Sequence, residues 1–186
     1  PTAFSTMIKP VGSACNLDCD YCYYLGKAEL YGNHQPKMSD ELLERYIGPM
    51  HASLAVKKAR LLIAGIGDQE KEIKALAAEL CPAGTVHFAG WVSDMNSFDH
   101  CLDVNMLTSI SETFSYAITE GARMRCATIC TAVGGLPRVV IDGQTGYLIT
   151  VGDHETMASR MIELARDRKL RSALGCAIYE KVKSEF

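Results

Sequence analysis

Residues 60–80, RLLIAGIGDQEKEIKALAAEL, decide how this chain folds. Leu61 to Ala64 is a short apolar run, and Gly65-Ile66-Gly67 breaks it with two residues that carry no Cβ and turn easily. From about Gln69 to Leu80 the apolar residues Ile73, Leu76, Ala77 and Leu80 recur at helical spacing and share one face. Strand, glycine turn and amphipathic helix make one parallel unit, and the rest of the chain repeats it. Val86 to Ala89 is a second strand ending at Gly90-Trp91, Met95 to Cys101 a short helix, and Val104 to Leu107 a third strand. A helix around Tyr116 to Arg125 follows, then strands Ala127 to Thr131 and Tyr147 to Ile149. The helix His154 to Asp167 turns Met157, Met161, Ile162 and Leu164 inward, so the two methionines read as core. Arg168 to Phe186 is a last amphipathic helix or pair of helices. Alternation of this kind predicts an α/β fold, a doubly wound parallel sheet with helices on both faces. Ligands in such sheets sit beyond the carboxyl ends of the strands, where the glycine turns lie.

A chain of 186 residues that is 48% hydrophobic can bury one sizeable core, with room for an appendage but not for a second full domain. The formal charge of -3 comes from 19 basic and 22 acidic residues mixed along the sequence, which argues against nucleic acid as a partner. There is no run of about eighteen apolar residues and no basic-then-apolar leader, so the expectation is a soluble, cytoplasmic protein without a transmembrane segment. Of the eight cysteines, three are clustered and five are scattered through periodic apolar segments. The cluster reads as metal ligands and the others as buried residues. His87, His100 and His154 have no matching ligand partners in the sequence and read as ordinary surface or core residues.

The cluster lies near the start. Ala3 to Ile8 predicts a short strand that Lys9-Pro10 ends, because proline cannot continue a ladder. Cys15, Cys19 and Cys22 follow in a loop, CNLDCDYC, spaced to wrap three corners of an iron-sulfur cube and leave one iron open to a small molecule. Zinc with a fourth ligand such as His34, or three free thiols, are the alternatives. Ser39 to Ile47 predicts a helix with a serine cap and acidic first turn, ended by Gly48-Pro49. The text IKPVGSACNLDCDYCYYL followed by KMSDELLERYI resembles the opening of the anaerobic sulfatase-maturating enzymes of the radical S-adenosylmethionine superfamily. That resemblance covers residues 1 to about 48. It implies a 4Fe-4S cluster on Cys15, Cys19 and Cys22, S-adenosylmethionine at the open iron, and radical oxidation of a cysteine or serine to formylglycine. The later strands, the glycine-rich segment and the further cysteines of that family have no counterpart here. The expected organisation is a fragment at 1–50, a junction at 51–58 and the main domain at 59–186.

In the main domain the chemistry gathers at SETFSYAITEGARMRCATICTAVGGLPRVVIDGQTG, residues 111–146. Glu112 follows a strand and Glu120 lies eight positions on, inside the next helix. Carboxylates so placed can hold hydroxyls at opposite ends of an elongated ligand, and the helix start between them, Thr113 to Tyr116, offers backbone amides to a phosphate. A pair of glutamates that only cap and solvate a helix is the plainer reading. The ordered set LLIAGIGDQEKEIKALA, HFAGWVSD, the Glu112-x7-Glu120 pair and VGGLPRVVIDGQTGYLI resembles the C-terminal nucleotide-sugar-binding domain of family 4 GT-B glycosyltransferases, over about two thirds of the chain. The resemblance implies a Rossmann-like sheet and retaining transfer from a UDP- or GDP-sugar to a glycan or lipid-linked acceptor, with no resident cofactor. It implies a catalytic Glu112 beside the donor sugar, Glu120 on the ribose, and Thr113, Phe114, Ser115 and Tyr116 at the diphosphate. Backbone at Trp91 and Val92 would frame the base, and Gly65 and Gly67 would permit close approach.

Three positions depart from that family: Ser115 stands where glycine is usual, Ala127 where proline is, and Arg138 where glutamate often is. The family's first strand and helix, which bring an arginine and a lysine to the diphosphate, have no match before Arg60, and the acceptor-binding domain has none either. Ala3 to Ile8 with Ser39 to Ile47 is expected to fill the vacant strand-helix position, at the edge of the sheet. Three functions stay open: a sugar-nucleotide domain of glycosyltransferase ancestry, a radical iron-sulfur protein, and a fused fragment without activity.

Overall fold

The computed structural model describes residues 4–7 and 59–186. The cysteine triplet, His34, the helix expected at Ser39 to Ile47 and the 51–58 junction lie outside the described residues. Six strands form one sheet: β1 (Phe4–Met7), β2 (Ala59–Ala64), β3 (Val86–Gly90), β4 (Val104–Leu107), β5 (Ala127–Thr131) and β6 (Tyr147–Ile149). Their order across the sheet is β3-β2-β1-β4-β5-β6, and every pairing is parallel. The helices among the described residues are α1 (Glu70–Leu80), α2 (Met95–His100), α3 (Tyr116–Arg123), α4 (Leu136–Val139), α5 (His154–Arg166) and α6 (Arg168–Glu185). None of them is long and apolar enough to cross a membrane.

Parallel strands need crossovers, and the strand period of two sorts the side chains to two faces. One face carries Leu61, Ile63, Val104, Met106, Ala127, Ile129, Tyr147 and Ile149, covered by Ile73 of α1, by Met157, Met161 and Leu164 of α5, and by Leu174 of α6. On the other face Leu107 and Cys130 meet Ile118 and Ala122 of α3, Leu136 and Val139 of α4, and Ile178 and Val182 of α6. The helix α6 reaches both cores, and it comes close enough to the sheet that a side chain at Gly175 would run into the Arg125 carbonyl. Met157 and Met161 are core residues, each 1% exposed.

The position of β1 differs from expectation. It lies at the centre of the sheet, not at its edge: Phe4 to Met7 pair with Ala59 to Leu62 on one side, and Thr6 and Met7 with Val104 and Asn105 on the other. The reason lies in the backbone. Without it, β2 and β4 would each present a row of unpaired N–H and C=O groups inside the sheet, and such groups are very costly to bury.

Candidate functional site

The turns that follow β2, β3 and β4 meet at one end of the sheet. Gly65 closes β2 at φ 122, a conformation that favours glycine, and its N–H donates to the Gly90 carbonyl at 2.8 Å. This bond ties the β2 turn to the β3 turn. Beyond it, Gly67 is exposed and its carbonyl accepts from the Glu70 N–H at 3.1 Å, opening α1. Trp91 is 52% exposed just past β3, and Val92 is half-buried.

The β4 turn is more tightly built. Thr131 Oγ1, at the end of β5, donates to the Ser109 carbonyl at 2.5 Å, and Ser109 Oγ donates to Glu112 Oε2 at 3.4 Å. Glu112 is thereby held at 7% exposure in the loop. The glycine pair after β5 packs against the same loop: a Cβ on Gly134, at φ 52, would overlap the Glu112 carbonyl, and one on Gly135 the Thr113 carbonyl. No other residue fits this pair of positions, so the two glycines clamp the backbone that carries Glu112.

The helix α3 begins at Tyr116, so Glu112 stands in the loop before it and Glu120 in the second turn. Ser115 is the N-cap, with φ -102, and its Oγ accepts from the Ile118 N–H at 3.3 Å. Glycine is therefore not required there, and serine takes one amide that a phosphate could otherwise reach. Thr113, Phe114 and Tyr116 are exposed around this start, with the rings of Phe114 and Tyr116 edge to face at 5.6 Å. At the centre of the sheet, Asn105 Nδ2 donates to the Ala117 carbonyl at 2.7 Å, and Gly121 lies directly over Asn105. Glu120 is half-buried; burial pushes its carboxyl up, and Arg123 pulls it partly back.

Gly65, Gly67, Trp91, Val92, Glu112, Thr113, Phe114, Ser115 and Tyr116 thus lie on the turns of one sheet edge, with Glu120 on the helix that leaves it. Asn105 and Ser109, which sequence reasoning did not single out, support this edge from beneath. Asn105 and Ser109 carried no signal beyond their place in an apolar strand and its turn. Ala127 begins β5 with ordinary pairing to Val104, and Arg138 is exposed on α4.

Residues 49–181 match the family described as glycosyl transferases group 1. The chain belongs to that family. Among curated relatives, the N-acetyl-alpha-D-glucosaminyl L-malate synthase of Bacillus anthracis is 33% identical over 130 residues, which is 69% of this chain and 34% of that protein. The chain therefore spans about a third of that relative's length. Among solved structures, Anabaena HepE in complex with UDP-glucose superposes with a TM-score of 0.72 at 16% identity, over 99% of this chain and 45% of that one. This likeness shows the GT-B sheet architecture. A separate short match joins the chain to the serine-type anaerobic sulfatase-maturating enzyme of Bacteroides thetaiotaomicron, 65% identical over 43 residues, or 22% of this chain and 10% of that enzyme. Both resemblances read from the sequence therefore have counterparts, the glycosyltransferase one over much more of the chain.

Proposed function

We propose that this group 1 domain binds a nucleoside diphosphate sugar across the turns of β2, β3 and β4 and serves the donor half of a retaining glycosyl transfer. The observation that carries the reading is the bracketing of one helix start by two carboxylates, Glu112 held in the loop and Glu120 in the second turn of α3. Glu120 accepts hydrogen bonds from the ribose hydroxyls. The amides around Thr113, Phe114 and Tyr116 meet the diphosphate, where the positive end of the helix dipole offsets the charge that grows on the departing phosphate. Glu112, fixed by Ser109 and clamped by Gly134 and Gly135, stands beside the sugar as the catalytic carboxylate. Trp91 and Val92 frame a uracil or guanine base with their backbone, and Gly65 and Gly67 leave room for it. The acceptor is a glycan or a lipid-linked sugar, and the chemistry needs no resident cofactor. UDP-glucose having been seen with HepE favours a uridine donor first. Thermal denaturation with UDP- and GDP-sugars tests this: a matching donor raises the melting temperature, and Glu120→Ala removes the rise. No shift with any nucleotide sugar would sink the reading.

A second reading attaches to Cys15, Cys19 and Cys22, favoured by the 65% identity to a sulfatase-maturating enzyme over 43 residues. Three thiols in the spacing C-x3-C-x2-C suit soft iron, and we propose that they hold a 4Fe-4S cluster whose open iron takes S-adenosylmethionine. Anaerobic reconstitution should then give a brown protein with about four irons per chain; a colourless, iron-free product ends it.

A further inference from the structure

Beneath the donor edge, α2 and α3 pack together around an apolar seam of Leu102, Cys126, Phe98, Ala117 and Met124. Asp99, near the end of α2, is sealed in this region at 0% exposure. Among the described residues, neither of its carboxylate oxygens has a hydrogen-bond partner. A buried, unpaired carboxylate is among the least tolerated groups in a protein, and a proton is the simplest remedy.

The groups that face it deepen the problem. From α3, the negative charge of Glu120 acts on Asp99, and the positive charge of Arg123 acts on Glu120. From the turn before β5, the Cys126 thiol donates to the Asp99 carbonyl at 3.3 Å and to the Leu102 carbonyl at 3.5 Å, so it engages the backbone and not the carboxyl. From the turn before β4, Asp103 adds negative charge near Cys126 but is tied to Arg171 at 3.2 Å. On α2 itself, Asp94 is spent as the N-cap and His100 is exposed. No cation reaches Asp99 among the described residues. Burial first, and then the charge of Glu120, push its carboxyl up to about 7.

We propose that Asp99 is a positioning residue for Glu120: it keeps its proton while Glu120 is ionised, and when it loses that proton the second buried charge loosens the α2–α3 seam and weakens the hold of Glu120 on ligand hydroxyls. The binding half of this proposal rests on the reading of Glu120 as the ribose group. The coupling between the two carboxyls does not. Donor binding then falls as pH rises through neutrality, because each step adds charge against an anionic diphosphate and against Glu120 itself. Folding follows the same proton. The folded-state pKa lies above the unfolded value, so the contribution of Asp99 to stability is fully present below about pH 4 and is lost as pH rises through about 7.

The experiment uses the full chain in three forms: wild type, Asp99→Asn and Glu120→Gln. Urea unfolding without nucleotide, from pH 4 to 8.5, should show wild-type stability falling across the window, a flatter profile for Asp99→Asn, and a midpoint moved to lower pH in Glu120→Gln. Carboxyl 13C titration of wild type reports the Asp99 midpoint without any variant. UDP affinity of wild type should fall by up to about tenfold across the same titration, the factor that one pKa unit of coupling carries, and in Asp99→Asn that step should vanish. An Asp99 carboxyl titrating in the ordinary carboxylate range, or a midpoint unmoved in Glu120→Gln, overturns the coupling. An identical affinity step in Asp99→Asn overturns the link to binding. UDP failing to bind wild type at every pH sinks the donor reading and the binding half with it, while the unfolding profiles still decide whether the carboxyls are coupled.

Discussion

The two halves of the sheet are built differently. In β4 and β5 every residue is buried, because helices cover both faces. In β2 buried and more open residues alternate, and in β3 half-buried and exposed ones do. The half with two covered faces carries the loop of Glu112 and the helix of Glu120. The more open half supplies glycine turns and the exposed Trp91. The difference teaches where rigidity is placed. In the proposed donor reading, the carboxylates that would meet hydroxyls stand on the close-packed side, and the backbone that would frame a base stands on the looser one.

Core truncations break this comparison most sharply. Ile129→Ala in β5 removes atoms packed on all sides and should cost about 2–5 kcal/mol in urea unfolding, whereas Val86→Ala in the half-buried β3 should cost about 0.5–1.5 kcal/mol. Equal costs would mean that the halves do not differ in packing. A smaller effect sharpens the picture at the site itself. Ser115→Ala removes the cap of α3 and should lower stability by about 1 kcal/mol, with UDP binding retained or improved because the Ile118 amide is set free. A large loss of binding would instead place the Ser115 hydroxyl on the ligand.

Much of this was legible in the sequence. The apolar runs gave β4, β5 and β6 with the bounds observed, because short buried strands stand out between glycine turns and amphipathic helices. The helix α4 was missed, since four residues that open with Leu136-Pro137 after two glycines contain no period to read. For residues 168–186 the sequence left one helix or a pair open; the structure shows a single helix, whose Gly175 serves a close approach to Arg125. The central place of β1 was not legible, because pairing order depends on contacts distant in sequence. At the candidate site the glutamate pair and its turns could be found by spacing and position. Asp99 could not, since burial of a polar residue in a six-residue helix leaves no mark on the pattern around it.

The place of β1 also fixes an order of events. It leaves the ribosome before either strand it pairs with, and its second neighbour, β4, is made only after β2, α1, β3 and α2. Units such as β2-α1-β3 and β4-α3-β5 can form from short connections. The strand that joins them can take β2 on one side, but its other edge stays open until the chain has passed Leu107. Non-local parallel pairing of this kind is slow, because the cost of closing the long loop comes before the contacts that reward it. Among the described strands, β1 is thus made before both of its partners, and its second edge is covered only once β4 has been made.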